Sequence, residues 1–228
     1  LKLEDIPFDA SPNFTPRALT APKMIILHCP VGTMGSAINT FKNNQTKVSA
    51  HYIVGRDGSA VQMVHLTDVA WHAMHIPNYM SIGIEMQDIY TVGGQLTRGC
   101  LQDPAWFTGR ELETTASIVA QLMIKFNIPI ESVIGHNNYI LKQYGNNHQD
   151  PGPFFPWLAF KDIVKLQLKL LNATVLDAIA KQNSAGLDHL MSLNLSQIQA
   201  DAKPITLPVV ALKPKRKRGR SIIPKRRK

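Results

Sequence analysis

His28 closes a short apolar run, residues 24–29, and His136 follows Gly135 at the end of another, residues 132–135. An imidazole at the end of a buried strand is costly unless it is hydrogen-bonded or bound to a metal. Asp150 opens Asp150-Pro151-Gly152-Pro153, a stretch that two prolines keep out of regular structure by fixing φ and removing donors. Two imidazoles and a carboxylate meeting from separate elements would hold a zinc ion and leave a fourth position to water, which is how a catalytic site differs from a structural one. Residue types alone do not select this set. The chain has eight histidines and sixteen Asp and Glu, a strand-end histidine is more often simply hydrogen-bonded, and Asp150 serves equally well as the cap of the turn before Pro151. Composition and period reach an α/β domain, with hydrolysis as one option.

The elements that must position these residues are legible in outline. Residues 1–22 are rich in Pro, Ser and Asp, lack a helical period, and read as an extended arm. Residues 24–29 suit a buried strand and 35–42 a short helix. Residues 51–54 and 60–64 flank Arg56-Asp57-Gly58, which predicts a β-hairpin. Residues 81–87 form a further strand. Leu112, Ile118, Val119, Leu122 and Met123 give residues 111–126 a helical pattern, and Thr108 with Glu111 three residues later resembles a capping box. Helix returns over 157–171, and residues 173–200 form one or two more helices broken near 184–186. Strands alternating with helices, plus a hairpin, predict an α/β fold with a central mixed β-sheet flanked by helices.

The net charge of +9 suggests nucleic acid until its distribution is examined. Residues 213–228 carry ten Lys or Arg and no acid, which leaves fifteen basic against sixteen acidic residues in the rest. The body is near neutral, and nucleic-acid binding by the fold is disfavoured. The tail lacks interleaved aromatics, so stacking on single strands is not indicated. Its charge suits anionic polymers, a membrane surface or nucleic acid. No run reaches the roughly 18 apolar residues of a membrane span. Two cysteines, Cys29 and Cys100, make no disulfide framework and are read as free thiols.

Five blocks, taken in order, carry a resemblance. They are Ile25-Ile26-Leu27-His28; Val48-Ser49-Ala50-His51-Tyr52-Ile53-Val54; Ala70-Trp71-His72-Ala73; Asn78 with Ser81-Ile82-Gly83-Ile84-Glu85; and Gly135-His136 followed by Asp150-Pro151-Gly152-Pro153-Phe154-Phe155-Pro156-Trp157. Over residues 23–158 the chain resembles the type 2 family of N-acetylmuramoyl-L-alanine amidases, zinc enzymes that share a fold with T7 lysozyme and the peptidoglycan recognition proteins.

The resemblance implies one zinc ion on His28, His136 and Asp150, and a catalytic carboxylate at Glu85. The strand period agrees, since Ile82 and Ile84 point to one face, Gly83 and Glu85 to the other. It implies hydrolysis of the amide between the lactyl group of N-acetylmuramic acid, or its 1,6-anhydro form, and L-alanine of the peptidoglycan stem. Zinc would activate water, and Glu85 would move its proton to the leaving amine. Relatives usually carry a lysine two positions before the last ligand. Here that position is His148, in a longer loop that also holds Lys142, and His148 is expected to steady the oxyanion as a cation or as a neutral donor. Trp71, His72 and Asn78 are expected to contact substrate, and His51 to support the fold. The alternative on the same fold is a non-catalytic peptidoglycan-binding module, but that class typically lacks a ligand that this chain keeps. The expected organisation is an N-terminal arm over 1–22, an amidase domain over 23–171, a helical extension over 172–202 and a disordered basic tail over 203–228. A periplasmic or exported location is expected from relatives with a proline-rich leading arm, and nothing in the sequence indicates an oligomeric state.

Overall fold

The computed structural model describes residues 1–16, 21–30, 32–92, 95–100, 106–145 and 147–192. In chain order the elements are β1 (Phe14–Pro16), β2 (Met24–His28), α1 (Met34–Lys42), β3 (Tyr52–Val54), β4 (Ala60–Gln62), β5 (Asp68–Ala70), α2 (His75–Met80), β6 (Ser81–Met86), β7 (Ile89–Val92), β8 (Gln95–Arg98), α3 (Gly109–Phe126), β9 (Val133–Gly135), α4 (Tyr139–Lys142) and α5 (Trp157–Ser192). Residues 1–178 form one compact unit; in a second, residues 179–228, the described stretch is helical.

Five strands make the central sheet in the order β4-β3-β6-β2-β9. β2 runs parallel to both β6 and β9, β3 runs parallel to β6, and the β3–β4 hairpin supplies the one antiparallel pair of this sheet. This is the expected mixed sheet. Every residue of β6 is buried, as a central parallel strand covered on both faces requires. The predicted hairpin turn is present: Gly58 has φ +85°, a conformation that favours glycine, and Gly55 N–H bonds the Ser59 carbonyl at 2.8 Å.

The two faces of the sheet bury different partners. Ile25, Leu27, Ile82, Ile84, Tyr52 and Val54 pack with α3 and the start of α5, through residues such as Ile118, Leu122 and Phe160. Ile26 and Ile53 point the other way, toward smaller clusters that include Phe41 of α1 and Leu141 of α4. Cys29 and Cys100 are buried free thiols on the α3 side. The period-2 alternation of β2 and β6 thus places His28 and Glu85 on the face away from α3.

Two expectations need correction. The leading segment does not stand off as an arm. Ile6 is buried in the core, Gln62 N–H bonds the Pro7 carbonyl at 2.8 Å, and Phe14–Pro16 pairs antiparallel with β5. Ser11 and Asn13 are buried, and the Asn13 amide donates to the carbonyls of Asn43 and Val48 at 2.9 and 3.0 Å. The segment is a strap, held by backbone bonds that its composition does not advertise. The second correction is α5, which runs without interruption through Ser184–Gly186 to Ser192. One glycine costs a helix only about 1 kcal/mol, too little to end it. The basic tail lies outside the described residues.

The capping box of α3 is real on its hydroxyl side: Thr108 Oγ1 accepts from Glu111 N–H at 3.1 Å. Glu111 itself is fully buried. Burial pushes its carboxyl up to about 8, against the opposing pull of the Arg56 guanidinium and the backbone at Thr108 and Gln87. A carboxyl raised in the folded state contributes stability that is complete below its unfolded value of about 4.5 and is lost as pH rises through about 8. Glu111→Gln should therefore gain on the wild type, by up to a few kcal/mol, as pH rises from 5 to 9, measured by urea denaturation at each pH. A stability difference that stays flat across that range would contradict the environment described.

Candidate active site and metal centre

The carboxyl ends of three adjacent parallel strands build the site. In the β2–β6 ladder His28 stands opposite Glu85, and in the β2–β9 ladder Leu27 stands opposite Gly135, with His136 next in the chain. Open α/β sheets present ligands at such strand ends. Asp150 arrives from the loop before α5. Its carbonyl accepts from Asn137 N–H at 2.8 Å, beside His136. Gly135 lets the loop come close, because a Cβ there would stand 2.6 Å from the Pro151 ring.

Three donors converge. His28 Nδ1 lies 3.0 Å from His136 Nδ1 and 3.3 Å from Asp150 Oδ2, and His136 Nδ1 lies 3.4 Å from Asp150 Oδ1. Donors about 2.0–2.1 Å from a tetrahedral zinc stand about 3.3 Å from one another, so these spacings fit that ion. The charge states fit as well. Burial lowers the His28 pKa to about 4, against the pull of the neighbouring Asp150 carboxylate, so the imidazole is neutral at pH 7. Burial works to raise Asp150, but its contacts with the His136 and His28 rings outweigh it and hold the carboxyl well below its usual range. A neutral imidazole at His28 and an ionised carboxylate at Asp150 are the forms a metal requires of those ligands. Among the described residues these three are the group whose ligand atoms all lie within 4.8 Å of one another.

Glu85 borders the same cleft, a cavity of about 580 Å³. It is 9% exposed, and its Oε2 is buried with no hydrogen-bond partner. Burial, and then the charge of Asp150, push its carboxyl well above the ordinary range. An unsatisfied buried carboxylate beside a metal-ligand cluster is costly to stability and marks a group kept for chemistry.

The family model described as N-acetylmuramoyl-L-alanine amidase matches residues 18–153. The chain belongs to this family. N-acetylmuramoyl-L-alanine amidase A of Achromobacter lyticus is 29% identical over 147 residues, which span 61% of this chain and 81% of that protein. The 1,6-anhydro-N-acetylmuramyl-L-alanine amidase AmpD of Salmonella typhimurium is 30% identical over 120 residues, 53% of this chain and 59% of AmpD. The structure of a Se-Met AmpD derivative superposes with a TM-score of 0.55 at 23% identity, over 72% of this chain and 96% of that one, and has the same fold.

In this amidase the other expected site residues divide. His148 lies at the cluster: its ring stacks on His136, 4.0 Å between centroids and 16° from parallel, with Nδ1 3.5 Å from Asp150 Oδ1. Its side chain is 57% exposed, and burial followed by the His136 charge lowers its pKa. Lys142 ends α4, exposed, and does not line the cleft. Trp71 does, as a half-buried wall whose indole N–H donates to Thr15 Oγ1 of the strap at 2.9 Å. His51 is structural as expected: Nδ1 accepts from Gly83 N–H at 3.0 Å, and Nε2 bonds the Asp68 carbonyl at 3.2 Å.

The other two expected substrate contacts, Asn78 and His72, are both engaged in hydrogen bonds within the protein. Asn78 is buried and does not line the cleft; its Oδ1 accepts from the backbone N–H groups of His72 and Ala73 at 3.0 and 2.6 Å. It shapes the turn that carries Trp71 and His72. His72 borders the cleft, but both ring nitrogens are engaged, one with His28 Nε2 at 2.9 Å and the other with Ser81 Oγ at 3.2 Å. Ser36, Ala37, Thr40 and Phe41 of α1 also line the cleft. Their spacing marks one helix face, but small and apolar side chains carry no chemical signal in a sequence.

Asn78→Ala would strand two backbone N–H donors. The expected cost is about 1–3 kcal/mol for each donor left unsatisfied, read from urea denaturation of the metal-free protein. A variant as stable as the wild type would mean that Asn78 does not hold this turn.

Proposed function

We propose that this chain hydrolyses the amide bond between the lactyl group of N-acetylmuramic acid, or its 1,6-anhydro form, and L-alanine of the peptidoglycan stem, with one zinc ion on His28, His136 and Asp150. The observation that carries the reading is the meeting of two Nδ1 atoms and a carboxylate at zinc spacing, with the unpartnered Glu85 carboxylate in the same cleft. The relatives' names point to the same bond: one is an N-acetylmuramoyl-L-alanine amidase, the other acts on the 1,6-anhydro form.

Zinc in that position supplies Lewis acidity, polarising the carbonyl and making water nucleophilic near neutral pH. The chain's own residues do the rest. Trp71 and the α1 wall hold the substrate against the strand ends. Glu85 accepts the proton of the attacking water as the oxygen–carbon bond forms, and passes it to the alanine nitrogen as the carbon–nitrogen bond breaks. Burial raises the Glu85 carboxyl pKa, and a raised carboxyl holds a proton more readily for delivery to a leaving amine. His148 donates a hydrogen bond to the developing oxyanion. Its pKa is lowered, so at pH 7 it acts as a neutral donor, and activity is not expected to fall as pH rises through the imidazole range.

Intact wall as substrate would place the enzyme in the periplasm or outside the cell. Assays on intact sacculi and on purified anhydro-muropeptides separate the two substrates. Ten basic residues in 213–228 favour contact with anionic wall polymers, a membrane surface or nucleic acid, all of which added salt would weaken.

Purified protein should bind one zinc ion and lose muropeptide hydrolysis when a chelator removes it. Glu85→Gln should keep the zinc and lose about 10²–10⁴-fold in kcat. His148→Lys should retain most activity, and His148→Ala should lose it with the zinc still bound. Normal turnover by Glu85→Gln would remove Glu85 from the chemistry. A wild-type protein that binds muropeptide and zinc but cuts nothing would be a recognition module.

A further inference from the structure

Behind His28, on the side away from Asp150, a line of hydrogen bonds leads into the fold. We propose that His72 and Ser81 are positioning residues that fix the tautomer of His28, so that its Nδ1 lone pair faces the metal position, with the direction of the whole line set by the carbonyl of Pro77. The proposal rests on the reading of His28 as a zinc ligand.

The direction follows from donor and acceptor chemistry. A carbonyl oxygen only accepts, so the Ser81 hydroxyl must give its proton to Pro77 O, 2.6 Å away. With that proton committed, Ser81 Oγ can take part in its 3.2 Å contact with His72 Nε2 only as acceptor. His72 therefore carries its proton on Nε2 and a lone pair on Nδ1. That lone pair accepts from His28 Nε2–H at 2.9 Å. His28 is left with its lone pair on Nδ1, the atom 3.0 Å from His136 Nδ1 and 3.3 Å from Asp150 Oδ2. Reversing any bond in the line would set two donors or two acceptors against each other at the next one.

The fold holds the line in place. Ser81 is completely buried, so bulk water does not compete for its hydroxyl. His72 sits in space that only a glycine leaves: a Cβ on Gly83 would stand 2.5 Å from His72 Cγ and 2.6 Å from Nδ1. His51 meets the ring edge-on with centroids 5.9 Å apart, and Asn78 holds the His72 backbone N–H. Gly83 and Ser81 both belong to β6, the strand that carries Glu85. One strand thus supplies the catalytic carboxylate, the seat of the positioning ring and the hydroxyl that orients it.

Partners behind a metal-bound histidine typically change metal affinity about 10–100-fold when removed. The test combines chelator-competition zinc affinity with long-range ¹H–¹⁵N spectra of the histidine rings, in metal-free and zinc-loaded full-length protein. The wild type should show His28 protonated on Nε2 before any zinc is added. Ser81→Ala should mix the His28 and His72 tautomers in the metal-free protein and weaken zinc binding about 10-fold or more. His72→Phe, which keeps the ring volume, should weaken it by at least as much. Wild-type zinc affinity in Ser81→Ala, together with an unchanged single His28 tautomer, would overturn the proposal. Should His72→Phe lose its cooperative thermal transition, Ser81→Ala decides alone. A wild-type protein that binds no zinc would refute the ligand reading, while the metal-free spectra would still decide whether the line sets the tautomer.

Discussion

Two parallel ladders share β2, and their register is the constraint on which the site depends. His28 stands opposite Glu85 on one side, and Leu27 stands opposite Gly135 on the other. Side chains alternate along a strand, so a slip of one residue would turn the His28 side chain from the cleft into the core. The register is itself held by burial: Ile25, Leu27, Ile82 and Ile84 occupy one face, and their displacement to the other would expose a core. The hydrophobic pattern that folds the sheet is also what aims the chemistry.

The price of this arrangement is a dense set of buried polar groups. His28, His136, Glu85, His51 and Ser81 are all buried, and Asp150 nearly so. Several are satisfied in pairs or in lines: His51 between Gly83 and Asp68, and His72 between His28 and Ser81. Glu85 Oε2 is buried with no hydrogen-bond partner. A site built on stability alone would not leave that oxygen bare, whereas a proton-transfer site needs it free to meet water. The electrostatics follow the same division. Burial drives His28 neutral, while its neighbours keep Asp150 ionised, which prepares a cation site before any cation arrives.

The walls of the cleft come from elements with no part in that chemistry. The N-terminal strap runs beside the β3–β4 hairpin, pairs with β5, and anchors the Trp71 indole through Thr15. α1 adds Ser36, Ala37, Thr40 and Phe41 to the lining of the cleft. On the proposed reading, the periphery would set substrate shape and the three central strand ends would carry bond cleavage.

The residues that would do the chemistry were legible only through the resemblance that five motif blocks carry in order, because residue types alone do not single out His28, His136, Asp150 or Glu85 from eight histidines and sixteen acids. Local rules sufficed for the hairpin at Gly58 and for the start of α3 at Thr108, since a positive φ and a capping hydroxyl act within a few residues. Packing decided the rest. Asn78 and His72 lie in the motif blocks like the reactive residues, yet they face backbone N–H groups, His28 and Ser81, partners set by where α2 and β6 meet. The strap's bonds run to residues some thirty to fifty positions away, and the wall formed by α1 has no chemical signature. Composition and period record what a residue prefers within one or two turns of chain. Which nitrogen meets which oxygen across the sheet is settled only when distant segments pack.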